Sequence, residues 1–104
     1  MMYSEFIDMS GKSESYISFS EYSTLIEPIY MECELSKKEF IAVMKEAFEK
    51  LVYPVVEKFI HNLPIEDKLL LIHDYNFDVS ERIAKVDLEA RKLAYQYMKL
   101  MLTL

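Results

Sequence analysis

Glycine and proline, the residues that most often place turns in a chain, are scarce in this sequence. One glycine and three prolines occur in 104 residues. A sandwich or barrel of many short strands needs frequent turns, whereas long helices need few. Hydrophobic residues make up 52% of the chain, enough to build a folded core. We therefore expect one mainly α domain over 1–104, a compact bundle of about four helices with a less regular acidic N-terminal segment.

The clearest helix signal lies in the middle of the chain. Ser36 and Glu39 have the spacing of a capping box, in which each side chain bonds a backbone amide of the other residue. Apolar residues then recur at helical spacing as far as His61. Pro54 falls inside this pattern and lacks an amide hydrogen. The pattern predicts a helix over 36–61 that is kinked near position 54.

Two further helices are predicted in the last third of the chain, over 64–75 and 79–102. Pro64 suits the first position of the earlier helix. The apolar run at 69–72 covers every side of that helix, which is typical of a helix in the centre of a bundle. Asp78 or Ser80 can cap the later helix.

The first third of the chain leaves two alternatives open. Residues 1–17 form either an irregular segment or a short helix or hairpin. Over 18–34, apolar and polar residues alternate as on a strand, yet a helical pattern also fits. The helix is favoured because Ser18 and Glu21 can form a capping box, and a bend is then expected at Pro28.

The net charge of −6 belongs entirely to this first third. Residues 1–35 carry seven acidic residues against one lysine, whereas 36–104 carry eleven acidic and eleven basic residues. Clustered charge of one sign either attracts a positive partner or forms a solvated face that only aids solubility. The candidate partner-binding residues, which combine acidic groups with tyrosines, are Tyr16, Glu21, Glu27, Tyr30, Glu32 and Glu34.

This charge pattern favours a small acidic protein-binding module. Complementary charge speeds encounter with a basic surface, and tyrosines supply much of the contact energy. By size and charge the chain is analogous to phage or mobile-element inhibitors of nucleases and to immunity proteins, which cover a nucleic-acid-acting partner. Direct binding of nucleic acid is disfavoured, because the basic residues of the later part alternate with acidic ones.

The last helix suggests an alternative function. Val86, Leu93 and Leu100 belong to a coiled-coil-like seam, and the end of the helix is apolar on nearly every side. Such a surface needs a cover, either from the N-terminal segment or from a second molecule. A homo-oligomeric scaffold or adaptor, in the simplest form a homodimer, is the alternative prediction. The expected interface residues are Tyr97, Met98, Met101 and Leu102.

Few residues suit catalysis or cofactor binding. Phosphate and dinucleotide loops need several glycines, and Gly11 is the only one. Cys33 falls on an apolar helix face, which favours an inert packed thiol. Glu57 and His61 lie one helical turn apart but have no matching pair elsewhere, and His73 suits a helix end. We expect a non-enzymatic protein with no catalytic, cofactor-binding or metal-binding residues.

The sequence also predicts where the protein resides. A single cysteine is consistent with a reducing, cytoplasmic setting. The first residues carry acidic and hydroxyl groups rather than the basic and apolar stretches of an export signal. No apolar run approaches the twenty residues of a transmembrane helix, so we expect no membrane association.

Overall fold

A computed structural model describes residues 1–11, 17–73 and 77–103 of the chain. Helices hold 85% of these residues and no strand occurs among them, which confirms the mainly α prediction. The elements are α1 (Tyr3–Ser10), α2 (Phe19–Glu21), a π-helical turn (Tyr22–Ile26), α3 (Glu27–Glu32), α4 (Lys37–Leu51), α5 (Tyr53–His61), α6 (Ile65–His73) and α7 (Phe77–Leu102).

Three of these boundaries lie within longer helices. The α2 helix, the π turn and α3 follow one another without a break, and α4 meets α5 at a bend at Val52. Counted in this way, the described residues form five helices rather than about four. The additional helix is α1, in the segment for which the sequence left a short helix open. Gly11 ends it with a φ of 82°, a conformation that glycine adopts without strain.

The segment from Phe19 to Glu32 is helical, as favoured over a strand. The Ser18 hydroxyl oxygen accepts a hydrogen bond from the Glu21 amide at 3.1 Å and so caps the first turn. The π turn ends two residues before Pro28, which is exposed. Because proline cannot donate to the preceding turn, the helix widens there, and the Glu27 amide bonds the carbonyl of Tyr22.

The helix that begins after Ser36 is also confirmed. The Ser36 hydroxyl oxygen accepts from the Glu39 amide at 3.2 Å, and the hydroxyl donates to the Glu39 carboxylate at 2.9 Å. The expected kink near Pro54 is the bend at Val52. The missing amide of Pro54 leaves the carbonyl of Lys50 without its usual helical donor, so α4 stops at Leu51 and α5 begins at Tyr53.

The hydrophobic core lies at one end of the molecule, between α1, the α2–α3 helix, α4 and the C-terminal half of α7. We call this end the head. Aromatic rings pack closely in it, with ring centres 4.8 Å apart for Phe6 and Tyr22 and 5.9 Å apart for Phe48 and Tyr95. Outside this core cluster, the only buried apolar side chains among the described residues are Leu63 and Val79.

The α6 helix does not lie in the centre of the bundle, and that prediction was wrong. None of its side chains is buried. Ile65 and Ile72 are 64% and 73% exposed. The helix contacts α7, where the Arg82 guanidinium lies 2.9 Å from the Asp67 carboxylate. The core of the head is formed by the other helices and includes no residue of α6, so α6 packs on the outside despite its apolar sequence.

The last helix begins slightly earlier than the sequence indicated. It starts at Phe77 rather than Val79, so the expected caps Asp78 and Ser80 lie inside its first turns. The preceding helix ends at His73. The stop expected at positions 74–76 lies outside the described residues.

Candidate functional site

Two of the acidic side chains in the first third are paired with basic residues of later helices. The Glu5 carboxylate lies 2.7 Å from the Lys37 ammonium, so α1 is joined to the start of α4. The hydrogen bond from Lys37 holds the pKa of Glu5 below its usual value, and the same bond raises the pKa of Lys37. This carboxylate is therefore partly neutralised within the chain.

Glu21 is the second of these paired acids. One nitrogen of the Arg91 guanidinium lies 3.0 and 3.1 Å from its two carboxylate oxygens, and the Tyr95 hydroxyl donates to it at 2.6 Å. The side chains of Glu21 and Arg91 are each only 9% exposed. Asp87, one turn earlier on α7, also lies 3.2 Å from Arg91. Glu21 is thus turned inward, and the expected partner-binding surface does not include it.

The other candidate residues lie around α3. Tyr30 is half-buried, with its ring 5.2 Å from that of Phe40 in an edge-on arrangement. Glu27 is half-buried, whereas Glu32 and Glu34 are exposed. Tyr16 lies outside the described residues. The exposed acidic part of this surface is therefore confined to the end of α3 and the residues just after it, and we call Met31, Glu32 and Glu34 the acidic edge.

Basic groups of α7 approach the acidic edge. A shallow cavity of about 270 Å³ lies between α3 and α7, and Glu32, Lys92 and Lys99 are among its lining residues. The two lysines offset part of the acidic charge here. Attraction of a basic partner to this edge is therefore weaker than the net charge of the first third suggests.

Glu27 lies close enough to the core to affect Tyr22. The Tyr22 side chain is 1% exposed, and its hydroxyl donates a hydrogen bond to the carbonyl of Met1. Burial raises the pKa of this tyrosine to about 12, with a smaller contribution from the negative charge of Glu27. Both effects keep the hydroxyl neutral, which suits a residue that holds the N-terminus against the head.

The four interface residues expected on α7 lie on two sides of the helix. Met98 is 1% exposed and belongs to the core of its own chain, so it is not available to a second molecule. Tyr97 and Met101 are 49% and 60% exposed, and Leu102 is half-buried. These three residues line a cavity of about 330 Å³ against α4, with Leu51 on its opposite wall.

A second, wider cavity continues from the first along α7. Its volume is about 650 Å³ and it shares Leu51 with the first cavity. We call the two together the apolar groove. Its walls are Leu51, Val55 and Phe59 on the side of α4 and α5, and Val86, Leu93 and Tyr97 on the side of α7.

Exposed apolar side chains line this groove. Among the described residues, fourteen large hydrophobic side chains are strongly exposed, and five of them belong to the groove: Leu51, Val55, Leu93, Tyr97 and Met101. Leu93 is 65% exposed, and Leu100, one heptad later on α7, is 62% exposed. The sequence identified the seam on α7 but not the matching residues of α4 and α5, whose apolar pattern was assigned to the core.

The residues considered for catalysis or metal binding are dispersed. Glu57, His61 and His73 are exposed, and no group of three or more histidine, cysteine or acidic side chains within the described ranges could hold a metal ion. Cys33 is half-buried and its thiol lies 3.1 Å from the carbonyl of Tyr30. None of these side chains lines the apolar groove.

The chain matches no protein-family model, no curated protein and no solved structure. Among the residues that the structure describes, no helix is both long enough and apolar enough to cross a membrane.

Proposed function

We propose that this chain is a non-enzymatic protein-binding module and that the apolar groove is its main binding surface. The observation that carries the proposal is that five exposed large hydrophobic side chains line this one groove, namely Leu51, Val55, Leu93, Tyr97 and Met101. Monomeric soluble proteins rarely leave a large continuous apolar patch exposed, and such a patch usually marks an interaction surface.

The shape of the groove favours a protein segment over a small ligand. Small-molecule sites are enclosed and carry a few convergent polar groups. This groove instead runs along α7, with α7 as one wall and α4 and α5 as the other. Charged residues lie among its apolar ones: Glu46, Lys50, Arg82, Lys85 and Glu89. An apolar channel with charged residues is typical of a site that receives an amphipathic helix.

One pair of variants tests this proposal. Leu93→Glu places a charge in the groove, and Ile65→Glu places the same charge at the start of α6, on a residue that is 64% exposed, compared with 65% for Leu93. Affinity capture from cells of the native host should recover partner proteins with the wild type and with Ile65→Glu. We expect Leu93→Glu to lose them while its helical circular dichroism is unchanged. Equal capture by all three proteins would contradict a binding role for the groove.

The acidic edge supports a second candidate function. Met31 is 68% exposed and is followed by the exposed carboxylates of Glu32 and Glu34. An apolar contact beside negative charge suits the basic surface of a nucleic-acid-acting protein, as an inhibitor or immunity protein would cover it. The single cysteine supports a cytoplasmic setting for either function.

Charge reversal separates the second candidate from the first. Glu32→Lys combined with Glu34→Lys removes the acidic edge, and Glu49→Lys combined with Glu57→Lys makes the same change in net charge on α4 and α5. If the edge binds the partner, only the first pair abolishes capture, and added salt weakens capture by the wild type. Loss of capture with Leu93→Glu alone would instead assign the partner to the groove.

A further inference from the structure

We propose that the apolar groove receives α7 of a second copy of this chain, in an antiparallel dimer with two-fold symmetry. The inference rests on the proposed function, because it names the partner of the same groove. In such a dimer each copy uses the same surface, so the groove of one molecule is filled by the helix that forms the wall of the other.

The accessible surface of the chain is larger than expected for a compact monomer, which favours a whole protein chain as the occupant of the groove. Its accessible surface is 6987 Å², whereas a compact monomer of 12.4 kDa exposes roughly 6,100 Å². The chain therefore exposes more surface than a compact monomer of its mass, as is typical of a protomer whose open side is covered by a partner. The radius of gyration is likewise 15.3 Å, compared with about 13 Å for a compact domain of this length.

The spacing of apolar residues on α7 supports a helix as the occupant. Val86, Leu93 and Leu100 recur at intervals of seven residues and lie on one line along the helix. The line is about 21 Å long at 1.5 Å per residue. Leu93 and Leu100 are both more than 60% exposed, so no described part of the same chain covers them. A second α7 carries the same line of residues and can pack against it.

The charges beside this line favour the antiparallel orientation. If the two copies of Leu93 meet at the symmetry axis, Val86 of each molecule faces Leu100 of the other. Glu89 then lies opposite Tyr97, whose hydroxyl can donate to it. A parallel pair would instead place Glu89 against Glu89 and would align the two helix dipoles unfavourably.

A second charged contact follows from the same register. Lys85 of each copy lies opposite Met101 of the other, and Met101 lines the same cavity as Glu46. Lys85 would then approach the Glu46 carboxylate, which lies 2.7 Å from Lys50 of its own chain, at both ends of the interface. The groove is complementary to itself in charge as well as in apolar surface.

Sedimentation equilibrium tests the location of the interface. We expect the wild type and Met31→Glu to dimerise with similar affinity. The dissociation constant of the Leu93→Glu dimer should be at least about 100-fold higher, because two buried leucines that face each other are replaced by two negative charges. The two variants add the same charge at positions of similar exposure, 68% and 65%. Equal dimerisation of the two variants would overturn the assignment of the groove.

Disulfide formation between introduced cysteines tests the orientation. In a Cys33→Ser background, Leu93→Cys should form a disulfide-linked dimer under mild oxidation, because the two Cα atoms approach within about 7 Å near the axis. Val86→Cys and Leu100→Cys should each remain monomeric under denaturing conditions, while an equimolar mixture of the two should form a mixed disulfide.

The outcomes separate this inference from the proposed function. Self-linkage of Leu100→Cys would overturn the antiparallel arrangement. A wild-type chain that stays monomeric up to a concentration of about 1 mM would overturn the dimer. In that case the proposed function would still stand if Leu93→Glu loses a different partner protein on capture, and it would fall if capture is independent of the groove.

Discussion

Glu21 and Arg91 lie seventy positions apart in the sequence and form a buried ion pair. The pair fixes α2 against α7, and the Tyr95 hydroxyl completes the contact at 2.6 Å from the Glu21 carboxylate. A buried charge that loses its partner is costly, because it remains removed from water without compensation. The first third of the chain is therefore held to the head by electrostatics as well as by apolar packing.

The first prediction concerns this pair. We expect Glu21→Ala to lower the free energy of unfolding by about 3 kcal/mol, because the Arg91 side chain stays buried and loses its contacts with the Glu21 carboxylate. Urea denaturation followed by circular dichroism measures the change. Glu32→Ala is the matched control, since it removes the same charge from an exposed position, and its effect should stay within about 0.5 kcal/mol.

A double variant checks the physical reason. Replacing both members of a buried ion pair by apolar residues of similar size is often nearly neutral. Glu21→Leu combined with Arg91→Met should therefore regain much of the stability that Glu21→Ala loses. If the double variant is less stable than either single variant, the pair contributes through some other contact.

The inward position of Glu21 was not predictable from the sequence. The sequence grouped it with Glu27 and Glu32 among the residues of an exposed, partner-binding acidic surface. That assignment assumes that charged residues face water, which fails when a counter-charge lies nearby in the fold. The counter-charge is Arg91, and only the packing of the π turn and α3 on α7 brings the two together.

The second prediction concerns Tyr22. Its pKa in the folded protein is about 12, compared with 10.0 for an unperturbed tyrosine. A raised pKa means that folding favours the neutral hydroxyl, so this contribution to stability is complete below pH 10 and is lost as the pH rises towards 12. We expect a loss of roughly 2 kcal/mol over this range, measured by urea denaturation at several pH values.

Tyr22→Phe provides the comparison for this pH dependence. Phenylalanine keeps the ring in the core but has no group that ionises, so the variant should lose less stability over the same pH range. The hydrogen bond to the carbonyl of Met1 is also removed, which lowers stability at neutral pH by about 1 kcal/mol. Identical pH dependence in the two proteins would show that Tyr22 does not titrate in this range.

The third prediction tests a feature that the sequence did reveal. Ser36 caps α4 through the Glu39 amide, and Ser36→Ala should lower the free energy of unfolding by about 1 kcal/mol. Ser20→Ala is a suitable control, because Ser20 is an exposed residue inside α2, where alanine is a good helix former. Thermal unfolding at neutral pH measures both changes.

Caps of this kind were predictable because each depends on residues three positions apart. Ser18 and Ser36 marked the helix starts at Phe19 and Lys37, and the prolines marked the irregular turns. The faces of α7 were harder, because two apolar stripes lie side by side on this helix. Its sequence does not say which stripe meets the core, and the structure buries Met98 while it leaves Leu93 exposed.

The fourth prediction concerns the attachment of α6. This helix buries no side chain and is linked to α7 by the contact of Asp67 with Arg82 at 2.9 Å. Regions with few buried apolar contacts open locally at low free energy, so the amides of α6 should exchange with deuterium much faster than those of α4. Hydrogen exchange with mass spectrometry measures both helices in one experiment, and Asp67→Asn should accelerate exchange in α6 without affecting α4. Equal protection of α6 and α4 would show that α6 is covered in solution, and comparing the wild type with Leu93→Glu would then show whether the cover depends on the apolar groove.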